Sequence, residues 1–226
     1  TVALLYAAFA HSNLGELARV DSLTQTIARR RNELTEHNRH WLEYLEARVK
    51  GQNQRALAAI RNAAELAPRS KADYNRAYIA QISNRPHEAV EALSTLDPER
   101  GAMRGWFPYW EVLTDSYHRL GEHDDELEQA RAAAVLYPER PEPRRWELEA
   151  LAADGKHRDI EKLISAMETV PVKGLSLGDA MNAVAVELRE HDHANEANAW
   201  FDRALQWYRS RPPAEAALDE HREAFA

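Results

Sequence analysis

Residues 41–68 read WLEYLEARVKGQNQRALAAIRNAAELAP, and this stretch decides the fold class of the 226-residue chain. Apolar residues recur every three or four positions on both sides of Gly51, which is the spacing of one face of an α-helix. They are Trp41, Leu42, Leu45 and Val49 before the glycine, and Leu57, Ile60 and Ala64 after it. Glycine favours the left-handed conformation that ends a helix, and proline cannot continue one. The stretch therefore predicts a hairpin of two helices that turns at Gly51 and closes at Pro68.

The same plan recurs along the chain. A second clear copy runs from Trp110 to Pro138, and a weaker one, from Tyr74 to Pro98, fits between the two. Further turns are marked by Gly15 and Gly155. The last copy matches the second helix of the first stretch at Ala197, Phe201 and Ala204. Six copies result, with successive offsets of 36, 33, 37, 34 and 37 residues. Such a period indicates stacked repeats, because each hairpin leaves an apolar face that only a neighbour can cover.

The repeats occupy nearly the whole length, so we expect a single domain over residues 1–226. Their approximate boundaries are 1–34, 35–69, 70–104, 105–140, 141–175 and 176–211. Residues 213–226 carry one more amphipathic pattern, which predicts a helix that caps the last repeat. Three hydroxyl side chains are expected to cap helix N-termini: Thr35, Ser70 and Ser176. Three prolines are expected to end second helices: Pro68, Pro138 and Pro171.

Composition limits the classes of function. Cysteine is absent, which excludes disulfides and thiolate metal sites. The formal net charge of −8 disfavours phosphate backbones and anionic lipids as partners. No apolar run approaches the roughly 20 residues of a membrane span. We therefore expect a soluble protein that neither binds nucleic acid nor inserts into a membrane. The compartment is left open, with the cytoplasm slightly favoured.

The repeat resembles the tetratricopeptide repeat (TPR), a helix hairpin of about 34 residues. The best copy supplies Trp110, Leu113, Tyr117, Gly121, Ala133 and Pro138. The copy at residues 35–69 supplies Gly51, Ala56, Ile60, Ala63 and Pro68, and the last copy supplies Phe201 and Ala204. In the best copy, Thr114 and Glu126 depart from the family's small residues. The resemblance implies an all-α, right-handed superhelical solenoid of about six hairpins, in which the first helices line a concave groove that binds peptides.

Residues of the first helices map to this groove through the resemblance. In the N-terminal half they are Tyr6, Phe9, Trp41, Leu45, Tyr74, Asn75 and Tyr78. In the C-terminal half they are Glu111, Asp115, Arg145, Trp146, Glu149 and Asn182. Aromatic side chains bury much area at small entropic cost, which suits a peptide groove. The alternative is that they pack between neighbouring hairpins. The acidic groups favour a partner in which basic residues follow apolar anchors, unless this surface is unused and solvated.

Two histidine pairs invite interpretation as metal ligands: His191-Asp192-His193 and His37-x-x-His40. The first lies at a predicted interhelix turn and the second near a predicted helix start. Each lacks a third ligand at a fixed spacing, so we expect capping or solvated histidines instead. The sequence contains no glycine-rich phosphate loop and no HExxH motif. We therefore expect a protein that is not an enzyme, with no catalytic residue, no cofactor and no bound metal.

A solenoid with such a groove is typical of a protein-interaction module or scaffold, whose partner is a peptide or a segment of another protein. The first alternative is a regulatory or sensor domain of a larger bacterial signalling protein, such as a transcription regulator or kinase. It would bind its own neighbouring domain or self-associate, and the start at Thr1 rather than Met favours it. A remote alternative is a small-molecule-binding helical domain or a hydrolase.

Overall fold

The computed structural model describes residues 1–212, which are mainly helical. Within these residues lie twelve α-helices and two short 3-10 helices, and their only β feature is an isolated bridge between Val172 and Leu175. The all-α prediction is thereby confirmed. The predicted capping helix over residues 213–226 lies outside the described residues. No helix in the described part of the chain is long and apolar enough to cross a membrane.

The chain divides into two compact units after Leu120, and each is described by itself. In the first unit every α-helix packs against the next one along the chain, and α1 also contacts α3, as α5 contacts α7. Short 3-10 helices precede α3, at Arg31–Glu33, and α7, at Gly101–Met103. The α-helices of this unit are α1 (Val2–Asn13), α2 (Leu17–Ala28), α3 (Glu36–Val49), α4 (Asn53–Leu66), α5 (Lys71–Ile82), α6 (Pro86–Ser94) and α7 (Pro108–Leu120).

The second unit begins at Gly121. Its helices are α8 (His123–Leu136), α9 (Glu142–Ala153), α10 (His157–Thr169), α11 (Leu177–Glu190) and α12 (Ala194–Arg209). In this unit α8 packs on α9, α10 packs on α9 and α11, and α11 packs on α9 and α12. Neighbouring helices therefore pair within each unit, as hairpins do. A single domain and a right-handed superhelix stay predictions.

Six residues with positive φ mark turns between successive helices of the chain. Four are the expected glycines, Gly15, Gly51, Gly121 and Gly155, with φ of 72°, 65°, 70° and 62°. In the third and sixth copies the spacing assigns this position to Asn84 and Asp192, whose φ values are 56° and 66°. Asparagine and aspartate are the non-glycine residues that best tolerate this conformation. The predicted spacing of the turns is thereby confirmed.

All three predicted caps form. The Thr35 side chain accepts a hydrogen bond from the Asn38 backbone N–H at the start of α3. Ser70 and Ser176 each form a capping box, in which an aspartate three residues later accepts from the backbone N–H of the serine. The second helices α4, α8 and α10 end at Leu66, Leu136 and Thr169, two residues before the predicted prolines in each case. Local chemistry therefore marks the starts of α3, α5 and α11 and the ends of α4, α8 and α10 as predicted.

Small residues lie where the second helices pack against their neighbours. Those that the repeat pattern singles out are Ala56, Ala63, Ala133 and Ala204, and all four are buried. Thr114 and Glu126, which depart from the pattern, are buried as well. The Thr114 hydroxyl donates to the carbonyl of Trp110 at 2.8 Å, so its polar group is satisfied inside the helix. The core thus accommodates both departures.

An ion-pair cluster centred on Glu88 joins three helices of the first unit. Its carboxylate accepts hydrogen bonds from Arg61 of α4, at 2.7 Å from Nε, and from Arg76 of α5, at 3.0 Å from Nε. Glu88 itself lies in the first turn of α6. The hydrogen bond from Arg61 holds the pKa of Glu88 below its usual range, although burial acts in the opposite direction. The charged carboxylate therefore stabilises the packing of α4, α5 and α6.

Candidate binding cavity

A cavity of about 520 Å³ lies within the first unit. Its walls come from α1, α3 and α5, from the connection between α4 and α5, and from the segment before α7. The apolar side chains that line it are Leu5, Tyr6, Phe9, Trp41, Ala67, Tyr74, Ala102, Met103 and Trp106. The polar ones are Asn13, His37, Asn38, Arg69, Ser70, Lys71 and Asn75. The volume lies within the range of about 300–1,000 Å³ that is usual for ligand pockets.

The aromatic walls are held by edge-to-face ring contacts. Phe9 of α1 meets Trp41 of α3 at a centroid distance of 4.7 Å and an angle of 89°. Tyr74 of α5 meets Trp106 at 5.8 Å and 90°. Trp41 also contacts the fully buried Tyr44 at 5.6 Å. Such contacts favour one ring orientation, so the cavity presents rigid surfaces to a ligand.

His37 fixes the orientation of Trp41 from one turn earlier on α3. The indole Nε1–H of Trp41 donates to His37 Nε2 at 2.9 Å. On the other side of the ring, His37 Nδ1 lies 3.1 Å from the carbonyl oxygen of Ala63 in α4. A carbonyl only accepts, and Nε2 is already an acceptor, so Nδ1 carries the proton and the imidazole is neutral. Both nitrogens are thus engaged in positioning the wall.

Asn75 is oriented by a chain of hydrogen bonds at the cavity wall. The Tyr44 hydroxyl donates to Asn75 Oδ1 at 2.8 Å, and Asn75 Nδ2 donates to the carbonyl of Lys71 at 2.8 Å. Behind them, Arg48 Nη1 lies 3.1 Å from Ser12 Oγ and 3.3 Å from the Tyr44 hydroxyl. Burial raises the pKa of Tyr44 to about 12, so this hydroxyl keeps its proton at physiological pH. The network therefore persists across the physiological range.

The charge of the cavity contrasts with that of the protein. Among the described residues that line it, the charged side chains are Arg69 and Lys71, and none is an aspartate or glutamate. Both cationic side chains are exposed, and they flank the Ser70 cap at the start of α5. Burial also raises the pKa of Tyr74 to about 12, which keeps its hydroxyl a neutral group able to donate. The cavity therefore combines aromatic walls with a cationic edge, in a chain of net charge −8.

The structure brings five of the mapped groove residues together in this cavity: Tyr6, Phe9, Trp41, Tyr74 and Asn75. Leu45 has no exposed surface and belongs to the core. Tyr78 is half-buried, and the guanidinium of Arg48 lies 5.2 Å from its ring centroid. Trp41 combines the two alternatives considered for the aromatic residues. Its side chain lines the cavity, yet it is only 8% exposed and also packs in the core.

The acidic groove residues lie outside the cavity lining, and two of them pair with arginines. In the first unit, Asp115 accepts from Arg119 Nε at 2.7 Å, and Glu111 is exposed on the same helix. In the second unit, Glu149 accepts from Arg145 Nε at 2.7 Å. Burial raises the pKa of Glu149 although Arg145 opposes this shift. Trp146 and Asn182, also of the second unit, are half-buried. Local ion pairs thus offset part of the charge that was expected to attract a basic partner.

Several lining residues were missed by sequence reasoning. Met103 and Trp106 come from the 3-10 helix before α7 and from the residues after it, where no helical period marks them. Arg69 has a φ of 59° in the connection between α4 and α5, and Lys71 follows it after one residue. Two exposed cations beside a predicted N-cap were the one signal that could have drawn attention to this edge.

Histidines group with carboxylates elsewhere in the chain. His40 Nδ1 lies 3.3 Å from Glu43 in the first unit. In the second unit, His191 Nε2 lies 3.0 Å from the buried Glu187, and the adjacent turn contains His193. The motifs His37-x-x-His40 and His191-Asp192-His193 thus fall at a helix start and at an interhelix turn, as predicted. No protein-family model and no curated protein matches the chain.

Proposed function

We propose that this protein is an interaction module that binds a segment of a partner protein through the cavity of its first unit. The observation that carries the proposal is a concave cavity of about 520 Å³ that is lined by five aromatic side chains and two cationic ones. Rigid aromatic walls are the usual anchor of protein interfaces, because they bury large areas and lose little rotamer freedom. The cavity has room for a bulky side chain of the partner together with its flanking backbone.

The partner segment is proposed to carry a large apolar or aromatic residue next to an acidic one. The apolar residue fits between the rings of Phe9, Trp41 and Tyr74, and its acidic neighbour lies near Arg69 and Lys71. Charge complementarity of this kind orients a ligand and speeds association. This chemistry is opposite to the basic partner that the acidic residues Glu111, Asp115 and Glu149 favour from sequence alone.

We also propose that the helix hairpins are TPR-like. Support comes from the six positive-φ turns at the predicted spacing and from the buried alanines of the second helices. In that arrangement the first helices α1, α3 and α5 would face a common groove. Side chains from these three helices line the cavity. The proposal of a TPR-like scaffold and the proposal of a binding cavity therefore support each other.

A second candidate function is the binding of a small molecule. The volume of the cavity favours it, because drug-sized and metabolite-sized ligands occupy pockets of this size. The same walls and cations would select an aromatic carboxylate. His37 supplies the imidazole of the cavity lining, and both of its ring nitrogens are engaged in hydrogen bonds. Whether the ligand is a peptide or a small molecule, these contacts favour a role in binding over a role in proton transfer.

A peptide selection separates these candidates. The full chain is immobilised and exposed to a displayed library of random peptides, and the bound sequences are read out. We expect enrichment of Trp, Phe, Tyr or Leu beside Asp or Glu, and loss of the acidic preference with Lys71→Glu as bait. No enrichment, together with binding of N-acetyltryptophan but not of its amide, would instead favour the small carboxylate. Enrichment of basic peptides would contradict the assigned ligand chemistry.

A further inference from the structure

Three metal-ligating side chains converge in the second unit: His157, His193 and Glu196. Each offers one ligand atom, and these atoms all lie within 4.8 Å of one another. His157 is the first residue of α10, His193 is the N-cap of α12, and Glu196 lies in the first turn of α12. His157 and His193 are 36 positions apart in the sequence. They come close together because the turn before α10 lies beside the turn before α12.

The backbone holds His193 in place. Its N–H donates to the carbonyl of Leu188 at 2.8 Å, and its carbonyl accepts from the N–H of Ala197 at 2.9 Å. The ring lies against Gly155, where a β-carbon would stand only 3.1 Å from both Cε1 and Nε2. The His157 and His193 rings meet edge to face at a centroid distance of 6.0 Å. Any other residue at 155 would press the His193 ring aside by a few tenths of an ångström and would be strained at the positive φ of 62°.

The three side chains have no competing partners. Within residues 1–212, none of them makes a side-chain hydrogen bond or ion pair. The other histidine–carboxylate pairs of this unit differ: His123 Nδ1 lies 3.0 Å from Glu126, and His191 Nε2 lies 3.0 Å from Glu187. The imidazole lone pairs at His157 and His193 are therefore available to an ion.

We propose that His157, His193 and Glu196 bind a divalent transition-metal ion, with Zn²⁺ as the best match. Two imidazoles and one carboxylate are a known zinc ligand set that leaves a fourth position for water. Ligand atoms at about 2.0–2.1 Å from zinc lie roughly 3.3 Å from one another in a tetrahedron. The present separations reach up to 4.8 Å, so the two partly exposed histidines and the exposed Glu196 would have to rotate towards one another to bind one ion. Ca²⁺ and Mg²⁺ prefer oxygen ligands and do not suit two imidazoles.

The bound ion would connect the start of α10 to the start of α12. A ligand that binds only the folded state stabilises it, so zinc raises the melting temperature of the protein. Metal binding competes with protons for the imidazole nitrogens, so the affinity falls as the pH is lowered. This site is independent of the proposed binding cavity, which belongs to the first unit.

The test is calorimetric titration of ZnCl₂ into the tag-free full chain, in a buffer that does not chelate zinc. We expect one ion per chain at this site, and binding at least tenfold weaker in His157→Asn and in His193→Asn. His87→Asn is the matched control, since His87 is an exposed histidine of α6 and should leave the affinity unchanged. Circular dichroism of each variant verifies that it is folded.

Cobalt supplies a second readout. Co²⁺ should give the visible absorption of a four-coordinate site with nitrogen and oxygen ligands, and His193→Asn should abolish it. Glu196→Gln changes only an exposed side chain and should weaken zinc binding in a folded protein, whatever becomes of the histidine variants. The proposal is overturned if zinc does not bind the chain, if binding survives both histidine substitutions, or if MgCl₂ binds as tightly as ZnCl₂.

Discussion

The indole N–H of Trp41 donates to His37 Nε2 at 2.9 Å, four residues earlier on α3. The same imidazole faces the carbonyl of Ala63 in α4, so one side chain joins the cavity wall to the second helix of its hairpin. Trp41 therefore packs in the core and also lines the cavity. A polar contact with His37 orients its ring, and the spacing of apolar residues in the sequence does not predict that contact. His37 therefore couples the stability of this hairpin to the shape of the cavity.

His37→Leu should destabilise the protein by about 1–3 kcal/mol, because it leaves the Trp41 N–H without its partner and removes one of the two donors to the Ala63 carbonyl. His40→Leu is the control on the same helix. His40 makes only a longer, partly exposed contact with Glu43, so its replacement should change the free energy of unfolding by less than about 1 kcal/mol. Urea denaturation of both variants measures the difference. Equal midpoints would show that the His37 bridge contributes no stability.

Ala63→Leu should destabilise by about 1–3 kcal/mol, since Ala63 has no exposed surface and extra methyl groups must displace its neighbours. Ala58 lies on the exposed face of the same helix. Ala58→Leu should therefore leave the unfolding midpoint nearly unchanged. A midpoint that responds equally to both substitutions would mean that the assigned faces of α4 are wrong.

Substitutions at two turn residues, Gly121 and Asn84, should differ in their effect on the stability of the protein. Gly121→Ala forces an alanine into a φ of 70° and should cost about 1–2 kcal/mol, although a β-carbon there has open space. Asn84→Gly removes the strain of a φ of 56° and should be neutral or slightly stabilising. Thermal unfolding followed by circular dichroism measures both. Destabilisation by Asn84→Gly comparable to that of Gly121→Ala would contradict equivalent turn roles.

Glu88→Gln should destabilise the first unit in a manner that depends on pH. Above the ordinary glutamate pKa, the charged hydrogen bonds to Arg61 and Arg76 are present in the parent, so the substitution should cost about 1.5–3 kcal/mol. The pKa of Glu88 is lowered in the folded state, so this contribution is lost as the pH falls through that lowered value. Denaturation at neutral and acidic pH should show the two proteins converging in acid. A difference independent of pH would exclude the ion pairs as its source.

The sequence predicted much of the fold because the information is local. Apolar periods, three caps and the closing prolines each act within a few residues, and they place the helix ends correctly. Positions 84 and 192 carry no glycine, yet the regular offset alone locates their turns. The tail at residues 213–226 is the exception, since its predicted helix lies outside the described residues.

The cavity and the histidine cluster were only partly predictable because both depend on contacts between distant residues. Tyr6, Phe9, Trp41 and Tyr74 could be grouped through the repeat. Met103 and Trp106 could not, since they lie in the irregular segment before α7 and have no repeat position. Likewise, His193 was singled out as a turn residue, but its neighbour His157 lies one repeat away. Only the packing of the two turns brings the second imidazole and the carboxylate together.

The central claim is that the cavity of the first unit binds the partner, and one pair of variants tests it directly. Tyr6 lines the cavity and Leu14 does not, yet both side chains are 70% exposed and neither supports the core. The measurement is calorimetric titration of the tightest peptide from the selection into the parent, Tyr6→Ala and Leu14→Ala. We predict at least about tenfold weaker binding for Tyr6→Ala and no change for Leu14→Ala. Equal affinity in all three folded proteins would contradict the account and move the interface away from the cavity.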